Sequence, residues 1–277
     1  MDTAGTDAYL DRIGARRPAS PDAEALRALH LSHLRTVPFE NLSIHLGEEI
    51  VLAEQPLLDK IVGARRGGFC YELNGAFAML LGALGYDVEL LSARVFGPDG
   101  QLGIPYDHLA LRVRTTHGPW LADVGFGRHS HFPLRWDSRA EQTDPAGEFR
   151  IEETAEGDLD VLRNGSPQYR LEQRPRAYPD FEVGCWWNRT SPKSHFTRSL
   201  VCSRLTETGR ITLSGRTLVT STLDGGREER SLRADEVLAA YREHFGIVLD
   251  REPVVGGAGP SQTGTGAQGH RSEFRSG

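Results

Sequence analysis

Arg66-Gly67-Gly68-Phe69-Cys70-Tyr71-Glu72-Leu73-Asn74-Gly75 carries a double glycine, then a cysteine, then the start of a run that stays largely apolar to Leu84 and stops at Gly85. Glycine pairs break regular structure, and an apolar run of this length predicts a buried helix over Tyr71–Leu84, closed by Gly85 in the left-handed conformation. Cys70 then falls at the helix N-terminus, where unpaired N–H groups and the positive end of the macrodipole favour thiolate over thiol. Position alone leaves a second reading open, a small buried hydrophobe, because free cysteine is among the most buried residue types.

Upstream of this stretch the chain reads as helix. A short segment covers Asp7–Ile13, and a second helix starts with Ser20 as cap and Pro21 at its first position. That helix carries Leu26, Leu29, His30 and Leu34 at helical spacing, and Gln55–Arg65 repeats the rhythm with Leu57, Leu58, Ile61 and Val62. Downstream the period drops to two. Val88–Val95, then Leu109, Leu111 and Val113 alternating with Ala110, Arg112 and Arg114, then Trp120–Phe126, predict strands. Short strands follow at Phe149–Glu153, Leu159–Arg163 and Tyr169–Gln173, at the turn spacing of a small barrel or sandwich. Further strands fit Ser199–Leu205, Arg210–Leu213 and Thr217–Thr222, before a helix over Asp235–Phe245. From about 254 the tail has few apolar residues and is expected to be disordered.

Composition narrows the function classes. Among 277 residues, 38% are hydrophobic and 25% charged, and 31 Gly with 15 Pro are too few for a low-complexity chain. The 32 basic and 38 acidic side chains give a net charge of −6, without the basic excess of a nucleic-acid binder, so an anionic ligand must be met locally. No apolar run reaches the ~18 residues of a membrane span. The start, Met1-Asp2-Thr3-Ala4, has no basic segment followed by an apolar one, and the expected location is the cytoplasm. The three cysteines, Cys70, Cys185 and Cys202, are too few and irregular for a disulfide framework, and the latter two read as inert.

Two further residues bear on Cys70. His108 opens the strand Asp107-His108-Leu109-Ala110-Leu111, and Asp123 stands near the end of Trp120-Leu121-Ala122-Asp123-Val124. A turn at Gly118-Pro119 would pair these strands antiparallel and set His108 beside Asp123. A carboxylate on one imidazole nitrogen fixes the tautomer and leaves the other nitrogen for the thiol. Taken singly, a strand histidine is as often a satisfied core residue, and an aspartate before Val-Gly a turn former. His129 and His131 lie two apart but have no further ligands nearby, so no metal site is expected.

The stretch Arg66–Gly75, the Asp107-His108-Leu109 strand, Asp123-Val124-Gly125-Phe126-Gly127 and the upstream Val37-Pro38-Phe39-Glu40-Asn41-Leu42 together resemble the arylamine N-acetyltransferases, in order and at similar spacings. The resemblance runs from about Asp7 to Gly246 and includes Thr190–Phe196. It implies a multidomain α+β fold: a helical bundle (1–85), a central β-barrel-like domain (86–190) and an α/β lid (191–253), around a papain-like core. It implies a catalytic triad of Cys70, His108 and Asp123, with Phe126 and Phe39 on the acceptor pocket and Gly127 and Phe196 bordering the coenzyme cleft. It also implies that Arg66 and Glu40 brace the loop before Cys70.

The activity so implied is transfer of an acetyl group from acetyl-CoA, through an acetyl-cysteine, to an aromatic amine or hydrazine, with no metal and no nucleic-acid or membrane partner. Two enzyme alternatives share the triad: an amide synthase that closes a macrolactam from a carrier-bound acyl chain, and a cysteine hydrolase. A binding module with an idle triad is a third, against which the presence of all three residues counts. Arg189, Lys193, Arg198 and Arg204 form a basic cluster, either facing the CoA phosphates or merely solvated, and Trp186 and Trp187 read as packing residues. The sequence leaves the oligomeric state open.

Overall fold

A computed structural model of the chain describes residues 1–256, so all but the first three residues of the expected disordered tail lie outside the described residues. Helix α1 (Thr3–Ile13) is capped by the Asp2 carboxylate. Helix α2 (Ala23–Thr36) starts later than the Ser20-Pro21 signal suggests, because Asp22 supplies the cap: its Oδ1 accepts from the Ala25 N–H at 2.9 Å, while the Ser20 hydroxyl binds its Oδ2. Strand β1 (Phe39–Glu40) and helix α3 (Leu42–Leu46) follow. The expected helix over Gln55–Arg65 is broken into α4 (Glu54–Leu58) and a π turn, Asp59–Gly63. Buried Arg12 gathers the carbonyls left open there, donating to Ile61, Thr36 and Arg65. Helix α5 (Cys70–Ala83) begins at the cysteine itself, and Gly85 beyond it holds φ 90°.

Strands β2 (Asp87–Val95), β3 (His108–Thr115), β4 (Gly118–Ala122), β5 (Leu134–Arg135), β6 (Gln142–Asp144), β7 (Gly147–Glu153), β8 (Leu159–Arg163) and β9 (Ser166–Arg176) make one antiparallel sheet in the order β5-β4-β3-β2-β9-β8-β7-β6. The sheet is nearly closed and barrel-like. Its end strands β5 and β6 are linked through one side chain, Gln142, which accepts from the Arg135 N–H and donates to the Arg135 carbonyl. β4 ends at Ala122 rather than running to Phe126, since the Val124 and Gly125 N–H groups turn to the side chains of Asn74 and Asp123.

Helices α6 (Glu182–Thr190) and α7 (His195–Arg198) cross to a second sheet of β10 (Val201–Leu205), β11 (Gly209–Ser214), β12 (Thr217–Thr222) and β13 (Arg227–Ser231), with β1 on its edge, and α8 (Ala234–Phe245) covers it. The pairing of Phe39 with Ser203 and Glu40 with Cys202 ties the segment before Cys70 to this sheet. No helix among the described residues is long and apolar enough to cross a membrane.

Period two in β3 reports two different cores. Leu109, Leu111 and Val113 pack with α1, α2 and α5, while Ala110 faces the barrel interior with Leu121, Phe149 and Tyr169. His108 shares the Ala110 face. The β3–β4 ladder pairs Leu111 with Ala122, so one step further Asp123 comes opposite Ala110, diagonal to His108.

Burial holds His30 and His129 neutral in the fold, pushed down to about 4, and lowers His33 as well. In the unfolded chain a histidine titrates near 6.5. The unfolded state therefore binds more protons between these values, and stability is lost as pH falls through that window. From pH 7.5 to 5 the loss is about 2 kcal/mol for each of His30 and His129. Urea denaturation at the two pH values should show a drop of about 4 kcal/mol from this pair alone, and a flat profile would contradict the burial of neutral imidazoles.

Candidate active site

Cys70 is buried at the first position of α5, with its Sγ 4.0 Å from the Asp107 carbonyl. The loop before it is fixed from below. Glu40, wholly buried, receives the Arg66 Nε–H at 2.9 Å and the N–H groups of Leu42 and Gly67, and its own N–H donates to the Gly68 carbonyl. Gly67 has no room for a side chain, since a Cβ there would stand 1.8 Å from the Pro38 carbonyl oxygen. These contacts agree with the expectation that Arg66 and Glu40 brace the loop.

Burial pushes the Cys70 thiol well above its ordinary value; the Leu109 N–H opposes this, and the Asp107 and Asp123 carboxylates add to it. The helix terminus favours the thiolate, but burial outweighs it here. In so dry a position a lone thiolate is unfavourable, and the sulfur gives up its proton only to a base beside it.

His108 lines the same cleft as Cys70. Its Nε2 donates to Asp123 Oδ2 at 2.8 Å, both side chains being buried, which leaves Nδ1 as the free nitrogen. Burial alone would push the Asp123 carboxyl up, but the facing His108, with the Asn74 amide, outweighs it and holds the group well below the usual carboxylate range. Asp123 Oδ1 accepts from Asn74 Nδ2 at 2.8 Å and from the Gly125 N–H at 3.0 Å. The Asp123 N–H donates to His30 Nε2, whose Nδ1–H therefore goes to the His131 carbonyl.

Asn74 and His30 are positioning residues that the sequence reading did not single out as such. Asn74 lies one helical turn after Cys70 and makes three contacts with the Asp123 region and β3: to Asp123 Oδ1, to the Leu109 carbonyl, and from the Val124 N–H. A lone amide in a largely apolar helix was the available signal. Gly125 permits the approach of this segment to α5, since its Cβ would stand 2.7 Å from both the Cys70 Cα and the Asn74 amide nitrogen.

Cys70 and His108 open onto one cleft of about 850 Å³, whose walls include Phe39, Phe126, Trp187 and Phe196. Phe126 stands edge-on to the His108 ring at 5.1 Å between centroids, and Phe196 packs on Phe39 and Phe69. Gly127 is not on the cleft wall; it abuts the Phe39 ring. The basic cluster divides. Lys193 and Arg198 line the cleft with His195, whereas Arg189 binds the Ile50 carbonyl and Arg204 the carbonyls of Arg35 and His244. The two tryptophans are not simple packing residues: Trp187 is on the cleft wall and Trp186 is 61% exposed. Cys185 and Cys202 are buried, and burial pushes the Cys185 thiol up to about 12, in keeping with inert thiols. His129 stacks on Tyr169, and His131 donates its N–H to Asp144.

Residues 22–254 match the family described as N-acetyltransferase. The arylamine N-acetyltransferase of Escherichia coli (strain K12) is 36% identical over 250 residues, 87% of this chain and 88% of the relative. Among solved structures, the M. smegmatis arylamine N-acetyltransferase superposes with a TM-score of 0.81 at 36% identity, over 89% of this chain and 92% of the other. The Mycobacterium marinum arylamine N-acetyltransferase in complex with CoA gives a TM-score of 0.80 at 32% identity, over 87% and 92% of the two chains.

Replacing Asn74 by Ala strands the Val124 N–H and removes a donor from buried Asp123. The expected cost is about 1–3 kcal/mol in urea denaturation. An unchanged midpoint would show that Asn74 does not hold this segment.

Proposed function

The chain belongs to the arylamine N-acetyltransferase family, and we propose that Cys70, His108 and Asp123 form its triad and carry an acetyl group from acetyl-CoA to aromatic amines or hydrazines through an acetyl-cysteine. One observation carries this: a buried cysteine opening a helix shares a cleft with an imidazole whose far nitrogen is tied to a carboxylate at 2.8 Å. The papain-like order of the triad, the division into 1–85, 86–190 and 191–253, and a cytoplasmic location go with this assignment.

The Cys70 proton passes to His108 Nδ1 as the sulfur attacks the thioester carbonyl. The pair keeps its net charge, so the transfer avoids the cost of a lone buried thiolate, and the Asp123 carboxylate stabilises the imidazolium that forms. Backbone N–H groups in the first turn of α5, that of Cys70 among them, are proposed to receive charge on the carbonyl oxygen. Collapse breaks the carbon–sulfur bond to CoA, whose thiolate leaves with the His108 proton. One thioester replaces another, a nearly balanced exchange, so the acetyl-enzyme persists until an amine arrives. The amine then attacks the acetyl carbon, His108 takes its proton, and the Cys70 sulfur leaves.

Phe126 and Phe39 are proposed as the aromatic wall for the acceptor. Phe196, with Lys193, His195 and Arg198 on the same cleft, is proposed for the donor side. Gly127 abuts the Phe39 ring and so would bear on the acceptor side rather than the donor side.

Mixing the protein with acetyl-CoA and no amine should release about one thiol per chain as a burst, with an acetyl mass increase confined to the Cys70 peptide. The Cys70→Ala variant should fold, show no burst and transfer no acetyl group. Steady thiol release driven by water without a burst would favour the hydrolase, and transfer by Cys70→Ala would remove the mechanism.

A further inference from the structure

Outside the catalytic cleft, a recess of about 190 Å³ lies where the barrel-like sheet meets the five-stranded sheet, and Arg128, Arg163 and Arg210 converge on it. None of the three has a carboxylate partner among the described residues, in contrast to Arg112 with Glu89, Arg170 with Asp160 and Arg216 with Glu252 elsewhere on the same sheets. Arg163 donates to the Ala146 carbonyl, Arg210 Nη1 to the Ser203 hydroxyl at 3.2 Å, and Arg128 reaches no acceptor among the described residues. The nearby acid, Asp144, has its oxygens turned to the N–H groups of His131, Phe132 and Ala146. Burial, with repulsion from Arg128 and Arg163, pushes the Arg210 guanidinium down to about 10. Gathering three cations with no carboxylate in direct contact among the described residues disfavours the fold, and in a chain of net charge −6 it is a local exception.

We infer that Arg128, Arg163 and Arg210 form a binding site for a phosphate-type dianion. Guanidinium groups present paired N–H donors that match phosphate oxygens. Arg128 follows Phe126, on the catalytic cleft, by two residues, so the recess adjoins the cleft without sharing its walls. Two sources offer this chemistry: a phosphate group of the acyl donor, or free inorganic phosphate.

The test is calorimetric titration and thermal unfolding of the full chain with inorganic phosphate, against sodium chloride of matched ionic strength. Wild type should bind phosphate saturably and unfold at higher temperature in its presence. Arg210→Gln and Arg128→Gln should each weaken that binding at least about tenfold, the worth of one charge-assisted contact. Arg128 is exposed, so its variant should fold regardless and, with one repelling cation fewer, unfold in chloride at no lower temperature than wild type. Phosphate acting no differently from chloride, or binding both variants as well as wild type, would overturn the site. A second titration with CoA identifies the source: competition with phosphate assigns the recess to the donor, and independent binding assigns it to free phosphate. This arm alone rests on acetyl-CoA as donor.

Discussion

A carboxylate buried among imidazoles sets the terms for the rest of this structure. Asp123 stays ionised in a place that by burial alone would protonate it, because His108 donates to one oxygen while Asn74 and the Gly125 N–H donate to the other. Ionised, it turns the His108 ring so that Nδ1 is free. Breaking such a buried pair by removing one partner typically costs about 3–5 kcal/mol. The elements around it are arranged to hold it. β4 stops at Ala122 so that the chain can fold Asp123 back, and α2 supplies His30 to hold its N–H.

The proposed nucleophile depends on the same contact. α5 is apolar because its flanks are covered by α1, α2 and β3, and that burial raises the Cys70 thiol. A helix terminus does not by itself outweigh the loss of water. In the proposed mechanism a base accepts the sulfur's proton while the pair stays neutral overall, and the Glu40–Arg66 brace holds the loop that precedes the cysteine. Glu40 also sits on the strand that pairs with β10, so the position of the cysteine is coupled to the second sheet.

Much of this was legible in the sequence. The double glycine, the helix from Cys70 and the period-two strands bearing His108 and Asp123 are strong local signals, and they coincide with the observed elements to within a few residues. The failures have physical causes. β13, Arg227-Glu228-Glu229-Arg230-Ser231, is an exposed edge strand and shows no apolar alternation to detect. α6 directs Val183 and Trp186 into solvent, which blurs its apolar face. His30 reads as one more residue on the buried face of α2, and its role appears only when β4 ends beside it. The late start of α2 reflects a choice between neighbouring cap residues that a carboxylate wins.

The central claim is that Asp123, acting through His108, makes a buried thiol able to ionise. The direct measurement is the rate of Cys70 alkylation by iodoacetamide as a function of pH, followed by mass spectrometry of the Cys70 peptide in wild type and Asp123→Asn. Wild-type Cys70 is expected to keep reacting near pH 6, where a free thiol is nearly silent, and Asp123→Asn to lower this rate by about tenfold or more. Superimposable pH profiles for the two proteins, each following an ordinary thiol, would contradict it.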